Sequence, residues 1–126
     1  MPIENKKVRI LHVDDEEDTQ KVVKTILEKE GYEVVSVRDG VGALREINLD
    51  NYDLLILDIM MPNMSGWELY TKILKIKEKE KVIFLSILDI PADKLNELTK
   101  SGVRDYIKKP FDRDDFVARV KKVLIS

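Results

Sequence analysis

The chain has no cysteine, one histidine, one tryptophan and only 6% aromatic residues. Without cysteine, a disulfide framework, thiolate zinc sites, iron–sulfur clusters and cysteine nucleophiles are excluded. Charge of one sign is missing too: 22 basic residues face 24 acidic ones, for a net charge of −2. A nucleic-acid-binding domain would show a basic excess, so direct nucleic-acid binding is not expected. No apolar run approaches the roughly 18 residues of a membrane span. The polar stretch Met1–Lys7 has no apolar segment behind it, so no secretory leader is expected and the cytoplasm is the expected location. Linkers rich in proline, glycine or serine, internal repeats and low-complexity segments are all lacking. What is present is a chain of 126 residues, 44% apolar and 37% charged. That reads as one domain, 1–126, able to bury its own core without metal or disulfide.

Short apolar runs alternate with longer amphipathic ones. Val8–Val13, Glu33–Val37, Leu54–Leu57, Val82–Ser86 and Arg104–Lys108 read as strands. Leu54–Leu57 is wholly apolar, as a strand buried on both faces requires. Between them, Lys21–Glu30, Asp39–Leu49, Trp67–Ile76 and Pro91–Ser101 place apolar residues at helical spacing. Gly31 and Gly102 are positioned to end helices. Asp112, with Asp115 three residues on, opens a last helix whose buried face is Phe116, Val117, Val120, Val123 and Leu124. A strand–helix unit repeated five times predicts an α/β fold, a doubly wound five-stranded parallel sheet with helices on both faces. In such sheets the site lies at the carboxyl ends of the strands.

Those ends carry the chemistry. Strand 1 runs into Asp14, Asp15 and Glu16, strand 3 into Asp58, strand 4 ends in Ser86, and strand 5 runs into Lys108, Lys109 and Pro110. Converging carboxylates repel one another, and a hard divalent cation such as Mg²⁺, or Mn²⁺ in its place, relieves that repulsion through oxygen ligands. A lysine and a hydroxyl opposite them suit the charged oxygens of a phosphoryl group. The expected chemistry is phosphoryl transfer onto a carboxylate, with Asp58 as the nucleophile because it follows the most buried strand.

With these pieces in order, the sequence resembles the CheY-like receiver domain of two-component response regulators. The resemblance runs from Val8 to about Leu124. It rests on the segments Ile10–Glu16, Asp53–Pro62, Ser65-Gly66, Phe84–Ser86 and Asp105–Phe111. It implies a flavodoxin-like sheet in the order 2-1-3-4-5. It further implies that Asp58 takes a phosphoryl group from the phosphohistidine of a histidine kinase or phosphotransfer protein. Asp15, Asp58 and the backbone carbonyl of Met60 would ligate Mg²⁺, with Asp14 holding it through water. Lys109, before a cis Pro110, would pair with the phosphoryl oxygens. Ser86 would bond the phosphoryl group, and Tyr106 would turn with it. The signal would then reach the surface of helix 4, strand 5 and helix 5, and a downstream protein partner or output domain.

Three features depart from the family pattern. Ile87 follows the switch hydroxyl where a small residue is usual, so it is expected to crowd the phosphoryl site. The stretch from Ser86 to Lys109 is about one residue long, a surplus most simply placed in the Leu88–Asp93 loop. Lys108 fits the commoner spacing, but Lys109 fits the Lys-Pro motif and is preferred. Met60 and Leu88, at positions that tune water access, are both apolar. Other readings fit less well. An aspartyl-phosphate phosphohydrolase needs a general acid where Met60 stands. A flavin-binding protein needs a phosphate loop where Asp14-Asp15-Glu16 would repel phosphate. A pseudo-receiver, acting only as an interaction module, would lack one of the site residues. His12 reads as a strand residue with satisfied polar atoms rather than a relay histidine. Met60, Met61 and Met64 read either as a partner-facing cluster or as packing after strand 3. The lysines of Lys72–Lys81 read as a solvated helix end and turn.

Overall fold

The computed structural model describes residues 7–126; the polar stretch 1–6 lies outside the described residues. The chain alternates β1 (Arg9–Val13), α1 (Glu17–Lys29), β2 (Glu33–Val37), α2 (Gly40–Leu49), β3 (Leu54–Leu57), α3 (Gly66–Ile76), β4 (Val82–Ser86), α4 (Ala92–Ser101), β5 (Asp105–Lys108) and α5 (Arg113–Ile125). The five strands are parallel and ordered β2-β1-β3-β4-β5, as expected.

Two apolar layers sandwich the sheet. Alternation along β1 sends Leu11 and Val13 to one face and Ile10 to the other. On the first face Leu55, Leu57, Val82 and Phe84 meet α2 and α3 through Ala43, Ile47, Leu69 and Ile73. On the second, Leu54, Ile56, Ile83 and Leu85 meet α1 and α5 through Val23, Leu27, Phe116 and Val120. All four residues of β3 are fully buried, which explains its unbroken apolar sequence.

The termini of the elements follow local chemistry. Asp39, Ser65 and Asp112 accept hydrogen bonds from the backbone of Gly42, Glu68 and Asp115, capping α2, α3 and α5. Gly102 stops α4 at φ 112°, where a side chain would be strained. α1 begins four residues earlier than its apolar stripe indicates, because its first turn is polar and exposed. α4 is the other exception. Leu95 and Leu98 have helical spacing, yet Leu95 is 40% exposed, and among the described residues of α4 none is buried.

Candidate functional site

The carboxyl ends of β1, β3, β4 and β5 meet at one rim. Asp14 follows β1 and is fully buried. Its Oδ1 accepts from the Glu16 backbone N–H at 2.9 Å, which folds the chain back toward the sheet. Asp58 follows β3 and is 4% exposed, with Oδ1 accepting from Met60 N–H at 3.3 Å. Gly66 is required behind it. A Cβ there would stand 2.2 Å from the Asp58 carbonyl oxygen, so only glycine lets α3 approach this closely.

Lys109 lies nine-tenths buried among the acids. Its Nζ is 2.8 Å from Asp14 Oδ2, 3.5 Å from Glu16 Oε1 and 3.6 Å from Asp58 Oδ2. The Lys109–Pro110 peptide is cis. Lys108 instead turns outward and pairs with Asp89 on the loop before α4, so the lysine of the Lys-Pro motif is the one that reaches the carboxylates.

One oxygen each from Asp14, Glu16 and Asp58 lie within 4.8 Å of one another. Asp15, expected as a ligand, is half-buried and lines the same cleft with Met60, Ile87 and Lys109, but lies outside that tight group. Glu16, not expected as a ligand, lies within it. The sequence signal for Glu16 was its position: it is the N-cap of α1, yet its carboxylate is turned toward Lys109. Burial raises the Asp58 carboxyl above the ordinary carboxylate range; Asp14 and Asp15 add to that, while Lys109 opposes it. Burial lowers the Lys109 ammonium, but Asp14, Asp58 and Glu16 together outweigh it and the net shift is upward. The rim thus holds more negative charge than its one ammonium neutralises. Oxygen donors at this spacing, with a carboxyl driven toward its neutral form, fit a hard divalent cation.

The remaining expected residues also reach this end of the sheet. Ser86 is fully buried and its Oγ accepts from Leu88 N–H at 3.4 Å. Tyr106 is half-buried; its hydroxyl donates to the Leu88 carbonyl at 2.6 Å, and burial raises its phenol. Ile87 is 59% exposed and forms part of the cleft wall. The methionines divide: Met60 is exposed at the cleft, whereas Met61 and Met64 pack on the core. Two of the lysines in Lys72–Lys81 are tethered rather than merely solvated, Lys77 on Asp50 and Asn51, Lys81 on the Leu124 carbonyl.

His12 is a buried strand residue, as read from the sequence, but it is not satisfied. Neither ring nitrogen has a hydrogen-bond partner among the described residues. The Ser36 hydroxyl, its register neighbour on β2, is likewise unpartnered, and Asp14 Oδ2, 3.7 Å from Nε2, accepts from Lys109.

Comparison with known proteins agrees with this architecture. Residues 10–121 match the response regulator receiver domain model. The transcriptional regulatory protein PcoR of Escherichia coli is 37% identical over 92% of this chain and 51% of its own length. The alkaline phosphatase synthesis transcriptional regulatory protein PhoP of Bacillus subtilis is 37% identical over 95% of this chain and 49% of its own. The chain therefore spans about half the length of these relatives. Among solved structures, the response regulator TrrA of Thermotoga maritima, in complex with Mg²⁺–BeF, superposes with a TM-score of 0.80 at 37% identity, covering 92% of this chain and 98% of that one. A CheY-like receiver domain protein of Methanospirillum hungatei gives a TM-score of 0.86 at 31% identity, covering 95% of each. Fold, rim and relatives agree: this chain belongs to the receiver-domain family of two-component response regulators.

Proposed function

We propose that Asp58 is the phospho-acceptor of this domain and that a histidine kinase or phosphotransfer protein is its donor. The observation that carries the reading is the buried ammonium of Lys109, 2.8 Å from Asp14 and 3.6 Å from Asp58, in a cleft that also holds Asp15 and Glu16. In the transfer, an Asp58 oxygen attacks phosphorus in line with the P–N bond of the donor's phosphohistidine. The O–P bond forms as the P–N bond breaks, and the released electron pair stays on the imidazole nitrogen. Lys109 turns from Asp14 toward one phosphoryl oxygen, and the Ser86 hydroxyl donates to another.

Mg²⁺, or Mn²⁺, supplies charge neutralisation between the carboxylates and the phosphoryl oxygens when bound. Asp15, Asp58 and the Met60 carbonyl would hold it, with Asp14 acting through water and Glu16 beside them. Met60, Ile87 and Leu88 offer no side-chain group that could orient an attacking water, so the acyl phosphate is long-lived in this reading. Tyr106 gives up the Leu88 carbonyl when Ser86 engages the phosphoryl group, and the change leaves through α4, β5 and α5. The exposed Leu95 on α4 supports a protein contact there. The domain then acts in the cytoplasm as a signalling module that contacts a protein partner or an output domain. Its own chemistry is limited to self-phosphorylation from small donors and autodephosphorylation.

The test is intact mass after incubation with acetyl phosphate and Mg²⁺. Wild type gains one phosphoryl group and Asp58→Asn gains none. Uptake by Asp58→Asn equal to wild type would overturn the assignment.

A further inference from the structure

His12 is the penultimate residue of β1, between Ser36 of β2 and Ile56 of β3, and is fully buried. Its imidazole can donate an N–H. Nε2 is the nitrogen facing Asp14, 3.7 Å from Oδ2. A carboxylate only accepts, so two lone pairs would repel there and the proton belongs on Nε2. At 3.7 Å the bond is not made. Oδ2 is held instead by Lys109 at 2.8 Å, while Oδ1 is held by the Glu16 N–H. The ring thus has no hydrogen-bond partner among the described residues, a costly arrangement for a buried donor.

We infer that His12 is a positioning residue that takes over the Asp14 carboxylate when Lys109 leaves it for a phosphoryl oxygen. The inference rests on the function proposed above, because that function is what draws Lys109 away. Asp14 Oδ2 would otherwise exchange a direct ammonium partner in a fully buried setting for at most a metal-bound water. Closing the gap from 3.7 Å to about 2.9 Å requires a shift of less than one ångström. The loaded state gains a hydrogen bond that the unloaded state lacks, so His12 biases the equilibrium toward loading. It also keeps Asp14 oriented toward the cation site, as an outer-shell partner does for a ligand.

His12 is the only histidine in the chain, so its ring ¹⁵N and ¹H signals are unambiguous. The experiment records them with and without Mg²⁺ plus beryllofluoride, alongside the backbone amides around Asp58. The expected result is a ring that carries its proton on Nε2 throughout, whose Nε2–H signal moves downfield and exchanges more slowly on loading. Amides that respond while the ring does not would overturn the role of His12 and leave the phospho-acceptor reading standing. Amides that do not respond would overturn both. His12→Leu supplies the second readout. It removes the orphaned donor, so the unloaded protein should melt higher than wild type, while affinity for Mg²⁺ plus beryllofluoride should fall about tenfold. A role in core packing alone predicts no change in that affinity, and an unchanged affinity would contradict the inference. His12→Gln, which keeps an N–H donor, should recover part of it.

Discussion

The two ends of the same sheet treat charge in opposite ways. At the amino ends of the strands the charged groups around Arg9 stay partly in water. Arg9 pairs with Glu33, reaches Asp50 at 2.6 Å and lies 4.7 Å over the Tyr52 ring. Its backbone N–H donates to Asp53 at 2.8 Å. Tyr52 donates to Glu46 at 2.6 Å, and Lys77 donates to Asn51 at 2.8 Å. At the carboxyl ends the central carboxylates are buried. Asp14, Glu16 and Asp58 share Lys109, Asp15 stands beside them, and a fully buried histidine has no partner among the described residues. The hydrophobic layers run continuously between the two ends, so packing does not account for the difference. One end is arranged for the folded state alone; the other keeps an imbalance that a ligand can relieve.

If that contrast is right, the largest effect should come from removing the buried ammonium of the acidic end. Lys109→Met leaves Asp14 and Asp58 buried without a counter-charge and should destabilise the protein by roughly 3 kcal/mol, as for other broken buried pairs. Urea denaturation measures it, and Mg²⁺ should restore part of the loss. At the amino end, Arg9→Met should cost less than half as much, because its partners remain solvated. That loss should also depend on pH with a definite sign. Arg9 holds the Asp50 carboxyl below its ordinary value of 3.8, so the pair stabilises the fold above that value. The difference between wild type and Arg9→Met should therefore shrink as pH falls through the depressed value. An equal cost at both ends would erase the contrast.

The smallest effect concerns the cleft wall. Ile87 supplies no ligand, yet its side chain borders the carboxylates. Ile87→Ala should speed both phosphoryl uptake from small donors and decay of the acyl phosphate by more than twofold, a barrier change above about 0.4 kcal/mol. Mg²⁺ affinity should be unchanged. A time course by intact mass checks the two rates. Rates within twofold of wild type would mean that the Ile87 side chain shapes the outer surface rather than access.

Much of this contrast was legible in the residue order, for particular reasons. Strands buried on both faces leave unbroken runs such as Leu54–Leu57, and the residues after such runs must lie at the rim. Asp14, Asp58, Ser86 and Lys109 were located that way. The choice of Lys109 over Lys108 comes from the Lys-Pro motif, since strand alternation alone does not reveal which lysine precedes the cis peptide. The start of α1 was missed because Glu17–Gln20 contributes nothing to an apolar stripe. α4 misled in the other direction: its stripe is present but left uncovered. Glu16 and His12 depend on how one carboxylate is shared. Both are set by distances of less than 4 Å around Asp14, which periodicity does not encode.

The most direct test of the imbalance is thermal denaturation of wild type and Asp58→Asn, each with and without Mg²⁺. Without the ion, Asp58→Asn should melt above wild type, because it removes a buried carboxylate crowded by Asp14 and Asp15. Mg²⁺ at about 100 times its Kd should stabilise wild type by roughly 2.7 kcal/mol and leave Asp58→Asn nearly unshifted. A metal-free Asp58→Asn that melts below wild type, or an equal Mg²⁺ shift in the two proteins, would contradict the account.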